Sequence, residues 1–147
     1  MVKIIIRSVQ RPNYNSPEAL IHWFCAEFNL SDENNISMEE QILKEFVNAA
    51  YNNHGLSSTE LSSEHELARS TVIYHLNRLI ETGLLVKRGR RYYLRANELS
   101  KAIEEMQLDI EREMRKMMLA AMEFDRAMNA RARGRLHGHQ PTMQDTV

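Results

Sequence analysis

From Glu98 to Arg133 the chain runs without a glycine or a proline, and apolar residues recur along it at alternating steps of three and four. Leu99, Ile103, Met106, Ile110, Met114, Met117, Ala121, Phe124 and Met128 fall on one stripe, with one extra step of four between Ile110 and Met114. This is a coiled-coil seam with a stutter. A helix of that length spans roughly 50 Å at ~1.5 Å per residue, more than the rest of a small chain can cover. The pattern predicts a homodimer, with Leu99, Ile103, Met106, Ile110, Met114, Met117, Ala121 and Phe124 as dimerisation contacts.

The remainder of the 147 residues suffices for one small domain with appendages, and 43% hydrophobic with 27% charged residues is a globular composition. Cys25, the single cysteine, excludes an intramolecular disulfide framework and the multi-thiolate metal patterns. The opening MVKIIIRSVQRPNY has an apolar run broken by Arg7 and Arg11, too short for a signal core or a spanning helix. A cytoplasmic protein without membrane segments is expected.

The net charge of −1 conceals an uneven distribution. Between Ser16 and Glu66 ten acidic residues face Lys44 alone, whereas between Ala68 and Arg95 seven basic residues face Glu81 alone. A near-neutral chain with that asymmetry carries a locally positive surface, suited to an anionic partner.

Helix signals open at Ser16-Pro17-Glu18, an N-cap serine, a proline at the first helical position and an acid in the first turn. This helix should end near Leu30, after an N-terminal arm in which Val2 to Val9 can form a strand or stay disordered. Ser37 and Glu40 have capping-box spacing for a second helix bearing Ile42, Leu43, Phe46, Val47 and Ala50, with Gly55 as its stop. Ser57 and Glu60 open a short third helix that ends by His65. A fourth, from about Arg69 to Thr82, puts Val72, Leu76, Leu79 and Ile80 on one face and ends at Gly83. Leu84 to Arg88 and Arg91 to Arg95 flank Gly89 with hairpin spacing. Asn97 caps the long helix, and the tail from residue 134 to 147, GRLHGHQPTMQDTV, has a disordered composition.

The stretch LSSTELSSEHELARSTVIYHLNRLIETGLLVKRGRRYYLR resembles the winged-helix region of arsenic-repressor-type (ArsR-like) regulators. The closest matches are Tyr74-His75-Leu76, Leu79, the Thr82-Gly83-Leu84-Leu85 turn and Arg88-Gly89-Arg90-Arg91, closed by Tyr93 and Leu94. The resemblance covers about residues 37–95. It implies a mainly α fold: a winged helix-turn-helix with a two-stranded β-wing and a long C-terminal dimerisation helix. The corresponding organisation is an arm and helix over 1–36, a DNA-binding domain over 37–96, a dimerisation helix over 97–133 and a tail. The family pattern usually has a serine where Ala68 stands, a departure that weakens the cap of the fourth helix and leaves its start open by about a residue or two.

The physics of the segment points the same way. A duplex presents about one phosphate charge per ~1.7 Å, so cations at a hairpin tip, here Lys87, Arg88, Arg90 and Arg91, can hold its backbone or enter its minor groove. Arg69, Ser70, Thr71, Tyr74, His75 and Arg78 lie opposite Val72, Leu76 and Leu79, where a reading helix presents side chains to base edges. Each has a plainer role available. Ser70 and Thr71 can satisfy first-turn amides, Tyr74 can pack on the hairpin, His75 can sit half-buried, and Arg78 can serve the helix C-terminus.

Other groupings are weaker. His22 and Cys25 share a helix face but are more simply a packed cysteine beside a histidine. The family's metal sensors carry cysteine pairs near the third helix, whereas Glu60 to Glu66 contains none and offers only His65, so no metal or other cofactor is expected. His137-Gly138-His139 is a site for incidental metal capture. The methionines of the long helix suit seam packing. No phosphate-binding glycine loop or nucleophile elbow is present, and the chain is not expected to be an enzyme. The expected function is sequence-specific binding of double-stranded DNA as a homodimeric transcriptional regulator, with repression as the simplest output. A small-molecule effector, where one exists, would bind between the N-terminal segment and the long helices. The alternative is a winged-helix protein-interaction module.

Overall fold

The computed structural model describes residues 3–13 and 15–137. Its elements run α1 (Pro17–Glu27), α2 (Met38–Ala50), β1 (Leu56–Ser57), α3 (Ser58–His65), α4 (Arg69–Glu81), β2 (Leu85–Arg88), β3 (Arg91–Leu94) and α5 (Leu99–His137). The chain divides into two units within α5, after Met106.

Capping chemistry sets most boundaries. The Ser16 hydroxyl accepts the Ala19 amide at 3.1 Å, opening α1. α1 stops at Glu27, short of Leu30, because Asn29 takes a left-handed φ of 58°. The Asn29 amide then donates to the Ala26 carbonyl at 3.1 Å and the Leu30 amide to Cys25 at 2.8 Å, which satisfies carbonyls the helix leaves open. Ser57 and Glu60 close both halves of a capping box at α3, and Glu66, at φ 53°, ends that helix. Ala68 supplies no side-chain cap to α4. Gly83, at φ 88°, turns the chain from α4 into β2.

Two expectations about α2 are corrected. Ser37 accepts the Glu40 amide at 3.1 Å, but Glu40 does not return to cap Ser37: its side chain turns inward and is fully buried. Gly55 is not the helix stop either, since α2 ends at Ala50 and Asn53 is the left-handed residue. Gly55 is small for another reason. A Cβ there would lie 2.5 Å from the Tyr93 ring and 3.0 Å from the Tyr92 carbonyl oxygen.

The arm before α1 forms no strand among its described residues. It is nevertheless held: the Arg7 amide donates to the Glu27 carbonyl at 2.7 Å, the Lys3 amide to Glu81 at 2.5 Å, and the Trp23 indole to the Val9 carbonyl at 2.8 Å.

The sheet has three strands in the order β1-β3-β2, all antiparallel neighbours, so a third strand joins the hairpin that was expected to have two. Leu56 pairs with Tyr92 and Ser57 with Arg91; Arg88 pairs with Arg91 across the two-residue loop Gly89-Arg90. Gly89 has φ 64°, the feature of a type II′ turn, whose twist suits a hairpin.

The core gathers Cys25 from α1, Ile42, Leu43 and Phe46 from α2, Leu61 from α3, Val72, Leu76 and Leu79 from α4, Leu85, Tyr92 and Leu94 from the sheet, and Met106 from α5. The beginning of the predicted seam packs on this core. Met106 is buried, with Leu99 and Ile103 packed on the same core, and Ala102, absent from the predicted stripe, is fully buried. Met106 and Ala102 are buried in the domain, whereas Leu99 and Ile103 are partly buried at its edge. The helix also continues to His137, so residues 134–137 are not a disordered tail. The rest of the predicted tail, 138–147, lies outside the described residues, as do the His137 side chain and His139.

Candidate functional site

α4 reaches the surface along Arg69, Ser70, Thr71, Tyr74 and Asn77, while Val72, Leu76 and Leu79 anchor its other face. Tyr74 is 58% exposed. Asn77 is one turn beyond Tyr74 on the open face, and an asparagine there can bond an adenine edge through both its amide atoms. Sequence reasoning passed over it, although its place opposite Leu76 and Leu79 was the available signal. Arg69 is exposed and lightly tethered, its Nε donating to the Ser58 hydroxyl at 3.2 Å.

His75 and Arg78 are engaged elsewhere. Glu39 of α2 is almost wholly buried, and its Oε1 meets His75 Nδ1 at 3.0 Å and Arg78 Nη1 at 3.1 Å. A buried carboxylate needs such partners, and removing one leaves its charge uncompensated. In this structure both residues therefore serve to fasten α4 to α2. The sequence offered Glu39 only as a first-turn acid.

The hairpin divides in the same way. Arg91 folds back, its Nη1 donating to the Gly55 carbonyl at 2.7 Å and its Nη2 pairing with Glu60 Oε1 at 3.0 Å. The Ser57 amide and the Arg91 guanidinium hold the Glu60 carboxyl below its ordinary range. Lys87, Arg88 and Arg90 are exposed and have no acidic partner among the described residues. Lys87 lies 5.5 Å from the centre of the Tyr92 ring and Arg88 5.4 Å from that of Tyr93, contacts that leave the cationic heads open to a ligand.

His22 and Cys25 have separate roles. His22 Nδ1 meets Glu40 Oε1 at 2.7 Å and its Nε2 meets the Glu33 carbonyl at 2.8 Å. The Glu33 carbonyl can only accept, so Nε2 carries the hydrogen of that contact. The Glu33 carbonyl, with the Glu40 carboxylate behind it, raises the His22 pKa against the lowering effect of burial. Glu40 also accepts from the Ser31 hydroxyl at 2.8 Å and lies 3.5 Å from Lys44 Nζ. Cys25 is fully buried, which pushes its thiol up to about 12 and keeps it protonated.

His65, the one ligand expected near α3, lies with two carboxylates. Donor atoms of Glu45, Glu64 and His65 all fall within 4.8 Å of one another. Glu45 comes from α2, distant in sequence, which is why spacing did not reveal the group. A cavity of about 520 Å³ opens between the arm, α1, α2 and the first turn of α5, with an apolar wall of Leu20, Trp23, Phe24 and Val47 and the cations Arg11 and Lys44 at its edge.

Beyond Met106, Ile110, Met114, Met117 and Phe124 are exposed, as are Leu108, Met118, Leu119, Met122 and Met128. Ala121 is exposed among them. No helix among the described residues is long and apolar enough to cross a membrane. Comparison with known proteins gives no match, whether with family models, curated proteins or solved structures. The resemblance to arsenic-repressor-type regulators accordingly stands on the sequence motif alone.

Proposed function

We propose that the chain is a sequence-specific, double-stranded DNA-binding regulator, with α3 and α4 as a helix-turn-helix, β2 and β3 as the wing, and α5 as the means of forming a homodimer. The observation that carries this reading is the set of open cations, Lys87 and Arg88 at the end of β2 and Arg90 in the two-residue loop after it, on a hairpin attached to the same core as the exposed polar face of α4. Cations held without acidic partners suit a phosphate backbone. Arg69, Ser70, Thr71, Tyr74 and Asn77 are the base-reading set in this proposal, while His75, Arg78 and Arg91 support it from behind.

Pairing through the exposed stripe of α5 from Ile110 onward would cover apolar side chains that the domain leaves open, and a two-fold dimer calls for a near-palindromic operator with half-sites about 34 Å apart. Occupying a promoter would make the protein a repressor. The cavity beside α1 is the place for a small-molecule effector.

The test is selection from random and genomic DNA at two salt concentrations, with dimerisation checked on the same sample. The expected result is an enriched near-palindrome whose affinity falls steeply with salt. Replacing Lys87, Arg88 and Arg90 together by alanine should flatten that dependence by roughly 0.9 in log-log slope for each phosphate that is no longer neutralised. Arg69→Ala should instead relax sequence preference. A stable dimer whose DNA binding ignores both changes would point to a protein-interaction module, a reading favoured by the extent of exposed apolar surface on α5.

A further inference from the structure

We propose that Glu45, Glu64 and His65 form a binding site for a divalent transition-metal ion of the Zn²⁺ type. Two carboxylates and an imidazole, from α2 and from the end of α3, bring their donor atoms within 4.8 Å of one another. A tetrahedral Zn²⁺ with bonds of ~2.0–2.2 Å holds its ligand atoms roughly 3.4 Å apart. Small side-chain rotations close that gap. Three protein ligands leave a fourth position for water, and imidazole with carboxylate is a donor set that suits Zn²⁺ better than Mg²⁺ or Ca²⁺.

The electrostatics favour a dication at this place. His65 Nε2 meets Glu45 Oε2 at 2.8 Å, so the histidine already engages one carboxylate, but a second carboxylate stands beside it. Glu45 and His65 are half-buried and Glu64 is exposed, which gives an ion both a partly dry seat and a path of entry. The site is built from side chains present in the domain and is independent of whether the protein binds DNA.

The test is titration of the full chain with Zn²⁺ by calorimetry, in a variant whose tail histidines His137 and His139 are changed to alanine so that they cannot capture the ion. One ion per chain is expected. Glu64→Gln alters an exposed residue and should leave the circular dichroism spectrum unchanged while weakening binding about tenfold or more, and His65→Gln should do the same or worse. Co²⁺ substituted for Zn²⁺ should give a visible absorption band that Glu64→Gln shifts or abolishes. No Zn²⁺ bound by the tail variant, or equal binding with and without Glu64 and His65, would overturn the proposal.

Discussion

Leu99, Ala102, Ile103 and Met106 are buried or packed on the core, whereas Ile110, Met114, Met117 and Phe124, further along the same helix and in the same apolar period, are exposed. Nothing in the spacing marks the change. A period of three and four residues says that a helix face needs cover; which surface provides the cover depends on where the rest of the chain ends. Here the core takes in the first two turns of α5, Leu99 to Met106.

The largest expected effect tests the exposed half. Changing Ile110, Met114, Met117 and Phe124 together to serine should weaken self-association at least about a thousandfold, given ~1.5–3 kcal/mol for each large apolar side chain fully buried. Sedimentation velocity over a dilution series reads this directly. A dimer that survives would place its interface outside the stripe. The same variant should keep the domain's near-UV spectrum.

Next in size is the contrast between two methionines. Met106→Ala empties a buried position and should cost about 2–5 kcal/mol in denaturant unfolding. Met117→Ala, measured at a concentration where the chain is monomeric, should change stability by no more than about 0.5 kcal/mol. Equal costs would erase the boundary between the halves.

The unit that holds the buried half also carries a proton-linked contact, at His22 of α1. His22 has a folded pKa raised above 6.5, so its stabilisation is fully present below that value and is lost as pH rises through the higher folded one. Melting temperature should therefore fall from pH 6 to pH 8, and His22→Gln should reduce the fall. An identical pH profile in the variant would remove His22 from the account. The smallest effect is expected at α4, where Ala68→Ser should add the missing cap and stabilise the domain by about 0.5–1 kcal/mol in thermal unfolding.

Much of the fold was legible because its signals are local. Ser16, Ser37, Ser57, Gly83 and Gly89 act within a few residues of themselves, and each fell where an element begins or turns. What escaped depends on distant partners. Glu40 has the spacing of a capping residue, yet His22 and Ser31 draw it inward, and the fate of Gly55 is decided by a tyrosine in β3. The candidate site shows the same limit. The helix face and hairpin cations were visible as a pattern, but Glu39 claims His75 and Arg78, and Glu60 claims Arg91, through contacts that no local spacing encodes.

The short pairing of β1 with β3 bears on how the chain folds. Leu56 meets Tyr92, and Arg91 reaches Gly55 across 36 residues, so α3, α4 and β2 all lie within the loop this contact closes. The contacts of α3 with α4, and of β2 with β3, span fewer residues and carry a smaller loop-closure cost. They can form before β1 is in place. If β1 joins after the barrier, damage to it should speed unfolding far more than it slows folding.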